Sequence, residues 1–432
     1  MSSIYSSENA TIGNNLLGNA YAEFTLPFDI KYKSQFNAVV ENSKYDYFQD
    51  PYKSLSGMSY GGRGNSNYSE VFRWGWDNTL SYAKQIEKHS INVIAGTSAL
   101  EENIFNSSQS GAGFGTSSVP TLNAASSNFL IGTGKYGWST NSYFGRLSYS
   151  FDNKYLFTAT LRRDGSSRVG KNVVWGNFPA ASIGWKVSNE KFMENVTWIQ
   201  GLKIRAGWGK TGNLPPYTMM YPSFSLLNAG APYAYNGAAA SPGINPGTQL
   251  GNPDLKWESA KQTNIGFDAG FMQNRLTLTF DYYYKKVSDM IFTQQLPLTT
   301  GGAFTALNLP GYDINKGVEL SLDGKVIKTE DFEWNSNFNI SFNENLITGI
   351  DSTISFQTGP VPIGGSLAPI YTQIIKDGYS LGTFWGYESK GVDPQTGNLV
   401  YGDKMEDLGS ALPKFTVGFS NDFRYKAITL SF

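Results

Sequence analysis

The stretch FEWNSNFNISF, from Phe332 to Phe342, decides the fold class. Phe332, Trp334, Phe338, Ile340 and Phe342 fall on one side of an extended chain, and Glu333, Asn335, Asn337, Asn339 and Ser341 fall on the other. Successive side chains of a β-strand point to opposite faces, so the alternation predicts a long, aromatic-rich amphipathic strand. Working outward, comparable runs recur near 16–26, 30–40, 76–86, 89–98, 141–151, 155–164, 180–188, 202–209, 260–271, 275–285, 315–325, 415–424 and 427–432. Their faces segregate in the same way. Leu202, Ile204, Ala206 and Trp208 oppose Lys203 and Arg205, while Leu276, Leu278, Phe280, Tyr282 and Tyr284 oppose Arg275, Asp281 and Lys285. A lysine or arginine facing lipid at the bilayer midplane costs about 2–4 kcal/mol, so charges confined to one face suit strands whose other face meets lipid. A sandwich with one wet face shows the same pattern, and the faces alone leave both architectures open.

The connections separate the two. They are short at Pro27–Asp29, Glu87–Lys88, Asp152–Lys154, Met272–Asn274, Val326–Asp331 and Tyr425–Lys426, with 189–201 a longer member of the same class. They are long near 41–75, 99–140, 165–179, 210–259, 286–314 and 344–414. Strict alternation of short and long connections is how a membrane barrel is threaded, with short turns on the periplasmic side and long loops outside. A soluble sandwich has no reason to keep that parity. Aromatic residues beside the short turns, among them Tyr149, Phe151, Tyr155, Phe271 and Phe423, suit a lipid interface. The expected class is therefore all-β: a partial antiparallel transmembrane β-barrel of roughly fourteen strands with long extracellular loops.

Composition excludes several other functions. Lys plus Arg (34) nearly cancels Asp plus Glu (35), so there is no basic field to hold nucleic acid. The 432 residues include no cysteine and one histidine, His89, which rules out thiolate metal sites, a cysteine nucleophile and a multi-histidine centre. His89 reads as an ordinary residue at the start of a strand. No run of ~18 apolar residues exists to form a transmembrane helix, a test to which barrel strands are blind. The opening MSSIYSSENATIGNN has neither a basic n-region nor an apolar h-region, so a signal peptide is expected upstream of it. The last run is shorter than the ~9–11 residues a tilted spanning strand needs, which predicts that this end is cut as well; the competing reading takes KAITLSF, ending in Phe432, as a genuine C-terminal barrel-assembly signal.

Several motifs have physical readings of their own. In RRDGSSR, Asp164 and Gly165 supply a turn, and Arg162, Arg163 and Arg168 are placed to pair Asp164 or other loop carboxylates at the mouth. In NPDLKWE, Asn252 to Glu258, the Asn-Pro start favours extended chain and Trp257 is available as an anchor where the loop re-enters the wall. Gly207, Gly209 and Gly212 around Lys210 lack the Gly-Lys-Ser/Thr run of a phosphate loop and read as bends at a barrel rim. Asp393, Asp403, Glu406 and Asp407 lack the spacing that wraps calcium, so no metal and no cofactor is expected. Substrate contacts are sought among loop aromatics: Trp175, Tyr217, Tyr221, Tyr233, Tyr235, Trp385 and Tyr387.

Taken in order, RRDGSSRVGKNVVWGNFPAASIGWKVSNEKFM (162–193), LKIRAGWGKTGN (202–213), NPDLKWE (252–258), NIGFDAGFMQNRLTLTFDYYYKK (264–286), NKGVELSL (315–322) and LPKFTVGFSNDFRYKAITLSF (412–432) resemble the SusC/RagA family of TonB-dependent outer-membrane transporters. The resemblance adds Asn315, Gly317 and Glu319 to the motif residues with a structural role. It implies a multi-pass outer-membrane barrel of about twenty-two strands around a plug, with no enzymatic activity. It also implies import of oligosaccharides or peptides, driven through the TonB complex, with a SusD-like surface lipoprotein as lid. Neither plug nor TonB box is visible, so residues 1–432 are expected to be part of the barrel domain only. The alternatives are a siderophore- or cobalamin-type receptor of the same architecture and a secreted glycan-binding β-sandwich adhesin.

Overall fold

A computed structural model describes residues 7–53, 55–217, 219, 221–231, 234–235, 238–239, 243–247, 249–351, 355–361 and 370–432. The chain opens with β1 (Ser7–Thr25), β2 (Lys31–Gln49), a short helix α1 (Leu55–Tyr60), β3 (Arg63–Ile86), β4 (His89–Ala112), β5 (Ser127–Phe151), β6 (Tyr155–Ser166), β7 (Trp175–Lys186) and β8 (Ile199–Asn213). Short strands β9 (Leu227–Ala231), β10 (Ala234–Tyr235), β11 (Ala238–Ala239), β12 (Gly243–Pro246) and β13 (Gln249–Leu250) follow within one loop. The wall resumes with β14 (Glu258–Phe271), β15 (Leu276–Gln295), β16 (Phe304–Lys328) and β17 (Phe332–Thr348). A second loop holds β18 (Ser355–Val361), β19 (Ile370–Lys376), β20 (Thr383–Val392) and β21 (Leu399–Ser410), before β22 (Phe415–Tyr425) and β23 (Ile428–Ser431) return to the wall.

Fourteen of these strands form one antiparallel path in which every wall strand pairs with the next wall strand in the chain, from β1–β2 through β17–β22–β23. They coincide in order with the fourteen amphipathic runs, as an up-and-down wall requires. Register fixes the faces. Trp185, Ile204, Phe267, Phe280, Leu320, Ile340 and Val417 are successive cross-strand partners over seven strands. One row along, Lys203, Asp268, Thr279, Ser321 and Asn339 are likewise partners. In an up-and-down wall of this length, an unbroken apolar row beside an unbroken polar row fits lipid on one side and a wet lumen on the other.

The short ends are tight turns. Glu87 (φ 49°), Asp152 (φ 51°), Asn153 (φ 50°) and Lys426 (φ 51°) take the left-handed conformation that matches the twist of two-stranded hairpins. The long ends depart from the sequence reading. Segments 41–75, 99–140 and 286–314 are mostly strand, because β2 to β5, β15 and β16 run on for up to 25 residues. Beyond the lipid both faces of a strand are wet, so the chain there loses its period-two hydrophobicity and reads as loop. The two longest connections are not structureless either: β18 to β21 form a four-stranded sheet of their own.

Most of the buried core lies at this outer end. Phe48, Ala112 and Phe114 pack beneath one loop, Val169, Phe178, Leu255 and Trp257 beneath another, and Ile347, Ile350 and Ile374 beneath the last. Leu16, Ile183 and Ile265 on the apolar face of the wall are exposed. A single-layer wall has no second layer to bury them, and lipid takes that place.

Candidate functional site at the mouth of the wall

The segment after β6 turns back across β5 at the outer end of the lumen face. Ser167 and Ser139 exchange hydrogen bonds: the Ser167 amide donates to the Ser139 carbonyl at 3.0 Å, and the Ser139 amide donates to Ser167 Oγ at 3.0 Å. This seats Arg168, which is 4% exposed, over the rings of Tyr217 (4.4 Å to the centroid) and Trp138 (5.5 Å). Its Nη2 donates to the Pro215 carbonyl, and Nε has no partner among the described residues. Burial presses the guanidinium below its ordinary pKa, and the nearby charge of Glu102 works in the opposite direction. Cation-π contacts of this desolvated kind are worth about 2 kcal/mol.

Glu102 anchors the other side of Trp138. Its side chain is almost wholly buried, accepting from Trp138 Nε1 at 2.8 Å and from Arg73 Nε at 2.6 Å. Arg73, Glu102 and Trp138 are cross-strand partners on β3, β4 and β5. Tyr221 Oη accepts from the Gly137 amide at 2.9 Å. The mouth therefore presents Trp138 and Tyr217 edge to face, 6.2 Å apart, held from behind by Arg168 and Glu102.

NPDLKWE locks this arrangement from outside. The Gly170 amide donates to the Leu255 carbonyl at 2.8 Å, the Asn172 amide to the Pro253 carbonyl at 3.2 Å, and Asn172 Nδ2 to Asp254 Oδ1 at 2.8 Å. Trp257 Nε1 donates to the Val174 carbonyl at 3.1 Å, and its ring meets Phe178 edge to face. Gly212 lies beneath that pair, where a Cβ would stand 2.3 Å from Phe178. Gly209 and Gly212 are thus places of close approach inside a continuous strand rather than bends, which corrects the reading of that motif.

Lower on the lumen face, Gly266 and Gly317 let long side chains cross a strand. Arg205 spans Gly266 to reach Asp281, and Tyr283 spans Gly317 to donate to Asn343 Oδ1 at 2.6 Å. Asn315 Nδ2 donates to Asp313 at 3.2 Å, and Asn345 Nδ2 donates to Asn315 Oδ1 at 3.1 Å. Glu319 lies on the same face, as the cross-strand partner of Asp281 and Ser341.

The candidates named from sequence thus separate. Arg162 pairs with Asp164 at 2.8 Å and donates to Ser142 Oγ at 2.8 Å on the lumen face. Arg163 lies over the Trp175 ring at 5.2 Å rather than against a carboxylate. Asp164 and Gly165 continue β6 rather than supplying a turn, which corrects that reading, and Gly165 faces Trp175 across β6 and β7, where a Cβ would meet the indole at 3.0 Å. Trp175 also packs beside Tyr143, on the sheet face that carries Leu161 and Ile183 and away from the lumen. Tyr217 and Tyr221 come together at the mouth. Trp385 packs edge to face on Tyr379 at 5.5 Å within its own loop sheet, while Tyr387 on the same strand is exposed. Tyr235 belongs to the two-residue strand β10, and Tyr233 lies outside the described residues. Sequence reading missed Arg73, Glu102 and Trp138, which sit in stretches 63–75 and 99–140 taken for loop. His89, the first residue of β4, contacts Tyr149 Oη through Nδ1 at 2.7 Å.

Comparison with known proteins agrees with this architecture. The family described as TonB dependent receptor-like, beta-barrel, matches residues 2–430. TonB-dependent receptor P3 of Formosa agariphila is 30% identical over 94% of this chain and 43% of its own length. TonB-dependent receptor SusC of Bacteroides thetaiotaomicron is 34% identical over 67% of this chain and 30% of its own length. The structure of the RagAB peptide transporter superposes on 99% of this chain and 48% of the matched chain, with a TM-score of 0.83 and 22% identity. The chain spans less than half the length of these relatives. It belongs to the family of TonB-dependent receptor-like β-barrels, with SusC among its relatives.

Proposed function

We propose that this wall serves SusC-like, TonB-dependent uptake of oligosaccharides or peptides across the outer membrane, with a SusD-like surface lipoprotein over its mouth. The observation that carries the reading is the lumen face itself. Below the aromatic pair Trp138 and Tyr217 it carries neutral amides and hydroxyls such as Asn335, Asn337, Asn339, Ser341, Ser98 and Ser142 among charges that pair with one another, such as Arg205 with Asp281 and Arg162 with Asp164. Such groups donate and accept hydrogen bonds, matching sugar hydroxyls or peptide backbones, and the rings supply a flat apolar contact. RagAB, whose structure is similar in fold, is a peptide transporter.

The loop sheet supports the partner. On β20 and β21, Tyr387 pairs with Met405 and Val392 with Leu399, and all four are exposed together with Tyr401. Exposed apolar groups clustered on a loop sheet at the mouth suit a protein partner. The test is uptake of labelled oligosaccharides and peptides by cells carrying the full-length protein with Trp138→Ala and Tyr217→Ala. A severalfold fall at unchanged surface level supports the reading, and unchanged uptake of both classes overturns it. Tyr387→Ser with Tyr401→Ser is expected to reduce co-purification of the lipoprotein.

A further inference from the structure

Three lysines stand in a line on the lipid-facing side of the wall. Lys210 of β8, Lys261 of β14 and Lys286 of β15 are direct cross-strand partners. They share the face of Trp208, Ile204, Phe267 and Phe280, and they lie toward the long-loop, external ends of their strands. Like charges directly opposite one another on a sheet repel, so the row is unfavourable unless an anion lies against it. Among the described residues none of the three is in an ion pair. Lys286 Nζ rests over the Tyr312 ring at 3.3 Å, and the next basic group along, Lys316, is already held by Glu344 at 3.1 Å.

Directly below the row, on the same three strands, Leu202, Ile204, Ile265, Phe267, Phe280 and Tyr282 line an apolar groove of about 490 Å³. Ile265 lies four residues from Lys261, about 13 Å along the strand. That is the separation between a headgroup and the upper part of its acyl chains. The far side of the wall has no such row: in register across β1 to β5 the same face carries Asn14, Asn42, Glu70, Phe105 and Lys135, a single basic group beside an acidic one two strands away. The feature is therefore local to β8, β14 and β15 and is not a general basic belt.

We propose that this surface is a binding site for a phosphorylated glycolipid of the outer leaflet, its phosphates held by Lys210, Lys261 and Lys286 and an acyl chain lying in the groove below. The lysines supply point charges suited to a phosphate in any orientation, and the groove supplies the apolar contact that a free phosphate lacks.

The experiment uses the full-length protein in phosphatidylcholine nanodiscs, with diphosphoryl lipid A and its dephosphorylated counterpart as probes and native mass spectrometry as readout. Wild type should retain the phosphorylated form preferentially. The triple variant Lys210→Gln, Lys261→Gln and Lys286→Gln should lose that preference by on the order of a hundredfold. The corresponding triple Arg variant should keep it, which separates lost charge from a damaged wall, and Lys316→Gln should change little. Equal retention by wild type and the triple Gln variant, equal retention of both lipid A forms, or equal displacement by phosphatidylglycerol would each overturn the proposal.

Discussion

Arg205 on β8 grips Asp281 on β15, two strands away, with Nη1 to Oδ1 at 2.5 Å and Nη2 to Oδ2 at 2.6 Å. The intervening strand offers no obstacle because Gly266 sits between them in register, and Arg205 Nε takes Asp268 at 3.2 Å on the way. One bidentate clasp therefore ties three wall strands on the lumen face. Gly266→Ala would place a Cβ 2.5 Å from Asp281 Oδ1 and from the Phe280 carbonyl, so the clasp must open or the strand must shift. The expected loss is about 1–3 kcal/mol, measured as a lower urea midpoint of the folded barrel in detergent. Arg205→Lys should lose the fork geometry and give a smaller decrease.

Gly170 holds the mouth together for a different reason. A Cβ there would stand 2.2 Å from the Pro253 carbonyl oxygen, and backbone cannot give way as a flexible side chain can. Gly170→Ala should separate the segment 167–174 from NPDLKWE, releasing the bonds from Gly170 and Asn172. Limited proteolysis should then cut between Ser166 and Trp175 at protease levels that leave the wild-type mouth intact.

The wall was legible in the sequence wherever a strand crosses lipid, because there one face must be apolar and the other wet. Phe332–Phe342 and Leu202–Trp208 show this period, and their register follows it. It faded where β3 and β4 pass beyond the lipid, so Arg73 and Glu102 were hidden in segments that look like polar loop. The mouth motifs were visible as motifs, yet the pairing of Gly170 and Asn172 with NPDLKWE joins residues about eighty apart and leaves no local trace. Trp175 and Trp138 illustrate the remaining difficulty. Both are loop-proximal tryptophans in the sequence, and only strand parity sends Trp175 to the apolar face and Trp138 to the lumen.

Glu102→Gln tests the support behind Trp138. The amide keeps one acceptor for the indole but removes the charge that pairs with Arg73, and it brings a donor toward the guanidinium. Arg73 is 37% exposed at its side chain and can rehydrate, so the expected cost is about 1–3 kcal/mol rather than that of a fully buried pair. Trp138 should become more mobile, and quenching of its fluorescence by acrylamide should rise.

At the periplasmic end, Glu190 gathers the turn between β7 and β8. Tyr155 Oη donates to it at 2.6 Å and Trp185 Nε1 at 3.1 Å, while Lys154 Nζ lies 3.5 Å away. The Tyr155 hydroxyl, then the indole and the lysine, hold the carboxyl below the ordinary glutamate value, and Lys88 does the same for Asp152 in the neighbouring turn. A carboxyl whose pKa is lowered by folding stabilises the folded form above its unfolded value of about 4, and that contribution disappears as pH falls through the lowered value. These turns should therefore stay protected across neutral and mildly acidic pH and loosen only below about pH 4. Hydrogen exchange over residues 186–198 as a function of pH checks this. Glu190→Gln should remove the acid dependence of that segment while leaving exchange at the mouth unchanged, whereas protection that falls already between pH 7 and 5 would assign the turn to a different titrating group.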